Sequence, residues 1–345
     1  MSDVGAGKRL TEVDALRGLA AAAVVLFHYT TRFTEVYPPT TPPSLLFPDG
    51  QYGVNLFFII SGFVIFMTLE KTQRPSDFVV SRFSRLFPAY WAAIALTFVI
   101  THWLGLPGKL AQPGDALANM LMLHGLFRVP HVDGAYWTLE VELLFYFGML
   151  LLYCLGRLHQ IHFAILALLL LRFVYFGAAH LFGVDLSWTL ARLLILPYIP
   201  WFALGIATFL LLHAPDKASR RWPAITSACA VLTLLVTESV FSAALAITLS
   251  TLVFLAASGR GTWLRARPLI WLGTVSYPLY LLHENIGWSV QLQLLAFGLP
   301  IDAAIIVALV LSLALAGLVT RVVEQPAMRW IRTRYKRRRQ PAPVG

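Results

Sequence analysis

The sequence predicts an all-α fold, a polytopic membrane bundle of about ten transmembrane helices with both termini cytoplasmic. Three observations carry that expectation. Hydrophobic residues fill 58% of the 345 positions and charged residues only 13%, with a mean hydropathy of +0.71; a soluble chain is about one quarter charged. The apolar residues gather in runs close to the roughly 20 residues that a hydrocarbon core requires. The basic residues lie between those runs and favour one side.

On this ruler the spans run roughly over 15–32, 53–70, 87–105, 137–156, 161–182, 189–212, 223–240, 242–258, 269–290 and 302–322. Lys8 and Arg9 precede the first run as they would in a signal peptide. No small-residue cleavage site interrupts the pattern, so the run is read as a retained span behind a cytoplasmic segment, 1–14. The loop 33–52 carries Pro38, Pro39, Pro42, Pro43 and Pro48, a stiff extended stretch. The loop 106–136 contains the apolar segment Ala116 to Phe127, too short to span and better read as interfacial or re-entrant. If it did span, every later loop would change sides. Glu238 is placed at the polar tip of a hairpin between the seventh and eighth spans.

Orientation follows from lysine and arginine. With the N-terminus inside, only Arg32, Lys109 and Arg128 of the 27 basic residues fall in outer loops. Arg17, Arg172 and Arg192 fall within spans, which leaves 21 in cytoplasmic segments. The transmembrane domain is thus 15–323, followed by a basic cytoplasmic tail, 324–345, whose Arg329–Arg339 stretch suits anionic lipid. The net charge of +10 does not point to nucleic acid, because its basic residues sit in loops between apolar runs. Cys154 and Cys229 lie inside apolar stretches and read as packing residues, and no metal site is expected. No internal repeat is evident.

Arg17 and His28 both fall within the first span. Eleven helical steps of about 100° bring them to one face, about 16 Å apart along the axis. Ionisable residues inside a spanning helix are costly and mark functional sites by default. Counting depth at about 1.5 Å per residue puts His28, Asn55, Glu142 and His283 in one layer of the outer half. Arg17 falls near the cytoplasmic face, close to Arg82 and Arg85. Glu140 and Glu142 are about 200° apart on their helix, so one faces inward, and depth favours Glu142, with Glu140 at the interface. Each residue also has a plainer reading: a buried histidine or asparagine can satisfy a backbone group, and Arg82 and Arg85 can be ordinary cytoplasmic-side charges.

Chemically, an imidazole can take a proton from an attacking hydroxyl, and a carboxylate can orient its ring. A guanidinium is a fork suited to phosphate. A donor with a phosphorylated head and a long arm ending in a reactive group, such as acyl-CoA, fits a head at Arg17 and a reactive end at His28.

These residues resemble the acyltransferase-3 family, integral-membrane O-acetylases of bacterial surface polysaccharides and related acceptors. The resemblance runs in order along nearly the whole chain. Asp14-Ala-Leu-Arg17-Gly-Leu through His28 is similar to the family's first-span signature, and Gly53 through Ser61-Gly62-Phe63 to its second-span motif. Arg82-Phe-Ser-Arg85 through Tyr90-Trp91 is similar to its cytoplasmic loop, and Trp137-Thr-Leu-Glu-Val-Glu142 through Tyr146 to its acidic motif. Ser276-Tyr277 through His283, and Glu324-Gln-Pro326, match later landmarks.

The resemblance implies an acyl-CoA-dependent O-acetyltransferase of a bacterial inner membrane. Its donor would be acetyl-CoA and its acceptor a carbohydrate or lipid-linked glycan. It makes His28 catalytic and Arg17 essential to donor use, with Glu142 in the same site. Beside it, the expected placement of the donor phosphates is near Arg17, Arg82 and Arg85, and that of the substrates at Asn55, Ser61, Trp137, Tyr277 and His283. No extracytoplasmic hydrolase-like domain follows the tenth span, so transfer is expected to finish within the membrane domain or with a separate partner. Two other classes stay open: a transporter or flippase of a glycan, which would also bury His, Glu and Arg, and a non-catalytic membrane subunit.

Overall fold

The computed structural model describes residues 10–183 and 187–339. Most of the predicted N-terminal segment (1–9) and the end of the basic tail (340–345) lie outside the described residues. Within them the chain is helical throughout, with no strand. α1 (Thr11–Leu26) continues through a π-helical turn, Phe27–Arg32, and a last turn, Phe33–Val36. α2 (Gly53–Glu70), α3 (Pro75–Leu104), α4 (Trp137–Cys154) and α5 (Ile161–Phe182) follow. Next come α6 (Trp188–Leu193), α7 (Ile199–His213), α8 (Arg221–Thr237) and α9 (Val240–Ala257). The last are α10 (Arg267–Leu282), α11 (Glu284–Ala296), α12 (Ile301–Val319) and α13 (Gln325–Arg337).

Seven helices among the described residues are long and apolar enough to cross a membrane, namely those built on α1, α2, α3, α4, α5, α9 and α12. Three segments read as spans take another form. The segment 189–212 breaks into α6 and α7. Arg172 of α5 holds the intervening turn by donating to Leu196 O and Pro197 O, and also pairs with Glu238 at 2.6 Å. Glu238, read as a hairpin tip, therefore ties α8 to α5. The segment 223–240 is the short apolar α8, and 269–290 is divided at His283 into α10 and α11.

Two further expectations change. α3 begins at Pro75 rather than near residue 87, so Arg82 and Arg85 stand on a helix and not in a loop. The reason is α13, which packs along that first part: Tyr335 Oη donates to Ser76 Oγ at 2.7 Å and Arg332 Nε to Ser84 Oγ at 3.0 Å. The tail is thus a docked helix. The apolar stretch after Ala116 becomes a short helix, Pro113–Asn119, and a 3₁₀ turn, His124–Phe127. Buried Asn119 folds this loop inward by bonding Asp115 O, Pro130 O and Val132 N. The cysteines are free, Cys154 exposed and Cys229 half-buried.

Close helix crossings set the frame of the site. Gly18 of α1 meets Gly273 of α10, where an added Cβ would come 2.5 Å from the Gly273 nitrogen. Gly205 of α7 lies against Ile59 O of α2, again with no room for a side chain. In a bilayer, where apolar burial does not draw helices together, such small residues allow the backbone contact that does.

Candidate active site

Two polar compartments lie along α1. The inner one is a cavity lined by Asp14, Arg17, Ser61, Arg82, Arg85, Glu142, Tyr146 and Tyr277. Glu142 Oε1 accepts from Ser61 Oγ at 2.9 Å and from Tyr146 Oη at 2.5 Å. Arg85 donates to the buried Glu324 at 2.5 Å, and its guanidinium stands 5.8 Å from the Tyr277 ring centre. Glu324 is positioned by a second π-helical turn, Thr320–Glu324. Tyr277 Oη donates to Leu86 O at 2.9 Å, joining α10 to α3. Three guanidinium groups around one cavity are a donor set of the kind that suits a polyanion.

The outer compartment is built on His28 and His283. α10 ends at Leu282, and the His283 carbonyl keeps the helical bond from Gly287 N at 2.9 Å while also accepting from Tyr29 Oη at 2.8 Å. His283 Nδ1 bonds Tyr280 O at 2.8 Å, and its Nε2 lies 3.2 Å from His28 Nδ1. His28 Nδ1 also bonds Val24 O at 2.9 Å. Carbonyls only accept, so this network assigns hydrogens to Nδ1 of both rings and leaves His28 Nε2 unprotonated. That Nε2 lies 3.3 Å from Glu284 Oε2, and Glu284 Oε1 lies 3.5 Å from Lys109 Nζ. The backbone is held as firmly as the ring, because Trp288 Nε1 donates to His28 O at 2.9 Å.

Between the compartments stands one aromatic layer. Phe57 and Tyr280 both line the inner cavity, with ring centres 5.4 Å apart. The Tyr280 ring centre is 5.6 Å from that of His283 on the far side. Thr138 Oγ1 and Tyr280 Oη share a 2.8 Å hydrogen bond, which holds the layer in place.

The sequence reading placed Glu142 in one layer with His28, Asn55 and His283, and the structure corrects this. Glu142 lies in the inner cavity with Arg17, and the carboxylate beside His28 is Glu284. Counting depth along the span 137–156 puts its first residue at the outer surface, but the adjoining Tyr136 is completely buried. Glu140, expected at the interface, is also fully buried and pairs with Arg192 at 2.5 Å. The regular 100° phase from Arg17 to His28 stops at Leu26, where the π-helical turn begins; such turns recur at functional sites. Ser61 and Tyr277 line the inner cavity, whereas Asn55 and Trp137 are not among its lining residues. Trp137 packs instead against the rings of Phe58 and Tyr198.

Glu284, Lys109, Asp133 and Trp288 were not singled out. An available signal was the adjacency of Glu284 to His283 within one apolar run. Near Arg192 lies a further pair, the buried His124 and the half-buried His131, with His124 Nε2 2.6 Å from His131 Nδ1. Burial, with Arg192 close by, pulls both imidazoles down from 6.5 to about 4. No group of three or more potential metal ligands occurs among the described residues.

Comparison with known proteins bears on this arrangement. The chain is 34% identical over 134 residues to protein 2 in the picA locus of Rhizobium radiobacter, covering 35% of this chain and 64% of that protein. It is 32% identical over 115 residues to the exopolysaccharide production protein ExoZ of Rhizobium meliloti, covering 29% and 33%. It is 26% identical over 157 residues to the peptidoglycan O-acetyltransferase OatA of Listeria monocytogenes, covering 40% and 23%. These matches span between 23% and 64% of the relatives' own lengths. No solved structure is significantly similar. Residues 10–321, which hold both compartments, match the acyltransferase-3 model described as an acyltransferase domain, and the chain belongs to that family.

Proposed function

We propose that this protein is an O-acyltransferase of the bacterial inner membrane, moving an acyl group, acetyl by default, from cytoplasmic acyl-CoA to a hydroxyl of a carbohydrate or lipid-linked glycan. Ten crossings with both termini cytoplasmic belong to the same reading. The observation that carries it is the placement of Arg17 and His28 on one continuous helical rod, the first in an arginine-lined cavity and the second in a histidine–carboxylate cluster. Named relatives include a peptidoglycan O-acetyltransferase and an exopolysaccharide production protein, which accords with a glycan acceptor.

In this mechanism Arg17, Arg82 and Arg85 hold the phosphates of the donor, and Glu142, with Ser61 and Tyr277, shapes the path of its arm. The thioester reaches His28 past Phe57 and Tyr280. The acceptor hydroxyl gives its proton to His28 Nε2 while its oxygen attacks the thioester carbon. The new C–O bond forms, the C–S bond breaks, and the proton passes to the departing thiolate. His283 keeps the His28 ring in the required tautomer.

The test is label transfer from radiolabelled acetyl-CoA in membranes carrying wild type or His28→Ala, with native glycolipid supplied. Label on glycan that disappears in the variant at equal protein level supports the reading, and equal label from both overturns it. Movement of a lipid-linked glycan with no change in its mass would favour a flippase instead.

A further inference from the structure

We propose that Glu284 is the positioning carboxylate of His28, stabilising the imidazolium formed when Nε2 takes the acceptor proton, and that Lys109 fixes it in this role. The inference rests on His28 being the base.

Glu284 is almost fully buried, and its two oxygens divide between two partners. Oε2 lies 3.3 Å from His28 Nε2 and Oε1 lies 3.5 Å from Lys109 Nζ. A buried carboxylate is costly unless paired. Lys109 supplies that pairing while its side chain stays one-third exposed to solvent. The same ammonium stands 4.4 Å over the Trp288 ring, and Trp288 holds the His28 carbonyl. Lys109, Glu284, His28 and Trp288 thus close a ring of contacts, so the carboxylate and the imidazole are held by one frame.

Local structure leaves Glu284 little freedom. It is the first residue of α11, and the turn that starts the helix is fixed by Asp133. Asp133 Oδ2 accepts from Asn285 N at 2.9 Å and Oδ1 from Ala135 N at 3.0 Å. Gly134 packs directly on the Glu284 carboxylate, where any Cβ would collide with it. The chain therefore keeps a glycine where the carboxylate needs space, and an aspartate that ties this turn to the start of α11.

Charge fits the step. Nε2 carries an unprotonated lone pair that faces the Glu284 oxygen 3.3 Å away, an unfavourable contact between two acceptors; taking the acceptor proton there turns it into an ion pair. Glu284 stays ionised throughout, and the proton goes on from Nε2 to the thiolate.

The experiment uses full-length protein in native membranes, with radiolabelled acetyl-CoA as donor and membrane glycolipid as acceptor. Glu284→Ala and Glu284→Gln are expected to lower kcat about 100-fold with the donor KM unchanged, within the range for a lost acid–base element. Formate added to Glu284→Ala should restore about tenfold of this, because a small carboxylate can occupy the vacated space. It should do nothing for His28→Ala. Lys109→Met should lose about tenfold, and Lys109→Arg should regain most of it. Unchanged kcat in Glu284→Ala, a parallel rise in donor KM, or no formate rescue in a variant of wild-type thermal stability overturns the proposal. Transfer by wild type and not by His28→Ala, with Glu284→Ala fully active, sinks this proposal alone. No transfer by wild type sinks the acyltransferase reading and this proposal together.

Discussion

Trp288 is completely buried and donates its indole N–H to the carbonyl of His28 at 2.9 Å. The carbonyl it holds belongs to the π-helical turn, where Phe33 N also bonds the same oxygen. The side chain of one helix thereby supports the local irregularity of another. Trp288→Phe keeps most of the ring but removes the donor, at a cost of about 1–2 kcal/mol. Displacement of a reacting group by about 1 Å can lower a rate about 100-fold. Trp288→Phe is therefore expected to lose far more transfer activity than thermal stability, measured side by side in detergent.

The arginine cavity gives a different signature. Arg17→Lys keeps the charge and loses the planar fork. Hydrogen bonds to charged groups contribute about 1.5–3 kcal/mol, so the donor KM should rise about ten- to 100-fold. The KM for the acceptor should not change. Glu324→Gln should alter the donor KM too, because it releases Arg85 from its 2.5 Å ion pair.

Thr138 and Tyr280 share the hydrogen bond that steadies the aromatic layer. Thr138→Val removes that bond, worth about 1 kcal/mol, and should raise the open population about fivefold. Hydrolysis of acetyl-CoA without acceptor, followed as free thiol, is expected to rise by a similar factor. No rise would show that the layer is not the barrier to the donor.

Acid should weaken the loop that carries His124 and His131. Both histidines are held below their ordinary value, at about 4 rather than 6.5, chiefly by burial. The folded state then binds fewer protons than the unfolded one, so these groups contribute fully above about pH 6.5 and the contribution is lost as pH falls toward 4. The midpoint of thermal unfolding should be flat above that range and decline below it. His124→Gln should reduce the slope.

The membrane character and most helices were legible because hydropathy acts over whole segments. What escaped were local departures. The π-helical turn at Phe27–Arg32 comes from tertiary hydrogen bonding by Trp288, which is 260 residues distant. The break at His283 lies in a run whose composition suits one continuous helix, and the carbonyl there accepts both the helical bond from Gly287 N and a bond from Tyr29, 254 residues distant. The depth of Glu142 does not follow from the start of its span, because Tyr136, which adjoins that start, lies in the interior. Arg82 and Arg85 read as loop residues because the partner that makes their segment helical, α13, is the far end of the chain. Chemical types were visible in the sequence, but pairings between distant helices were not.

The single layer of Phe57 and Tyr280 has a consequence for the cell as a whole. On the proposed reading, an arginine-lined cavity reached from one side of the membrane and a histidine cluster reached from the other would, if joined by water, form a leak across it. Two packed rings interrupt that water path. A donor arm thin enough to part them would fill the opening it makes, so a few atoms could be handed across while the electrical insulation of the bilayer is kept.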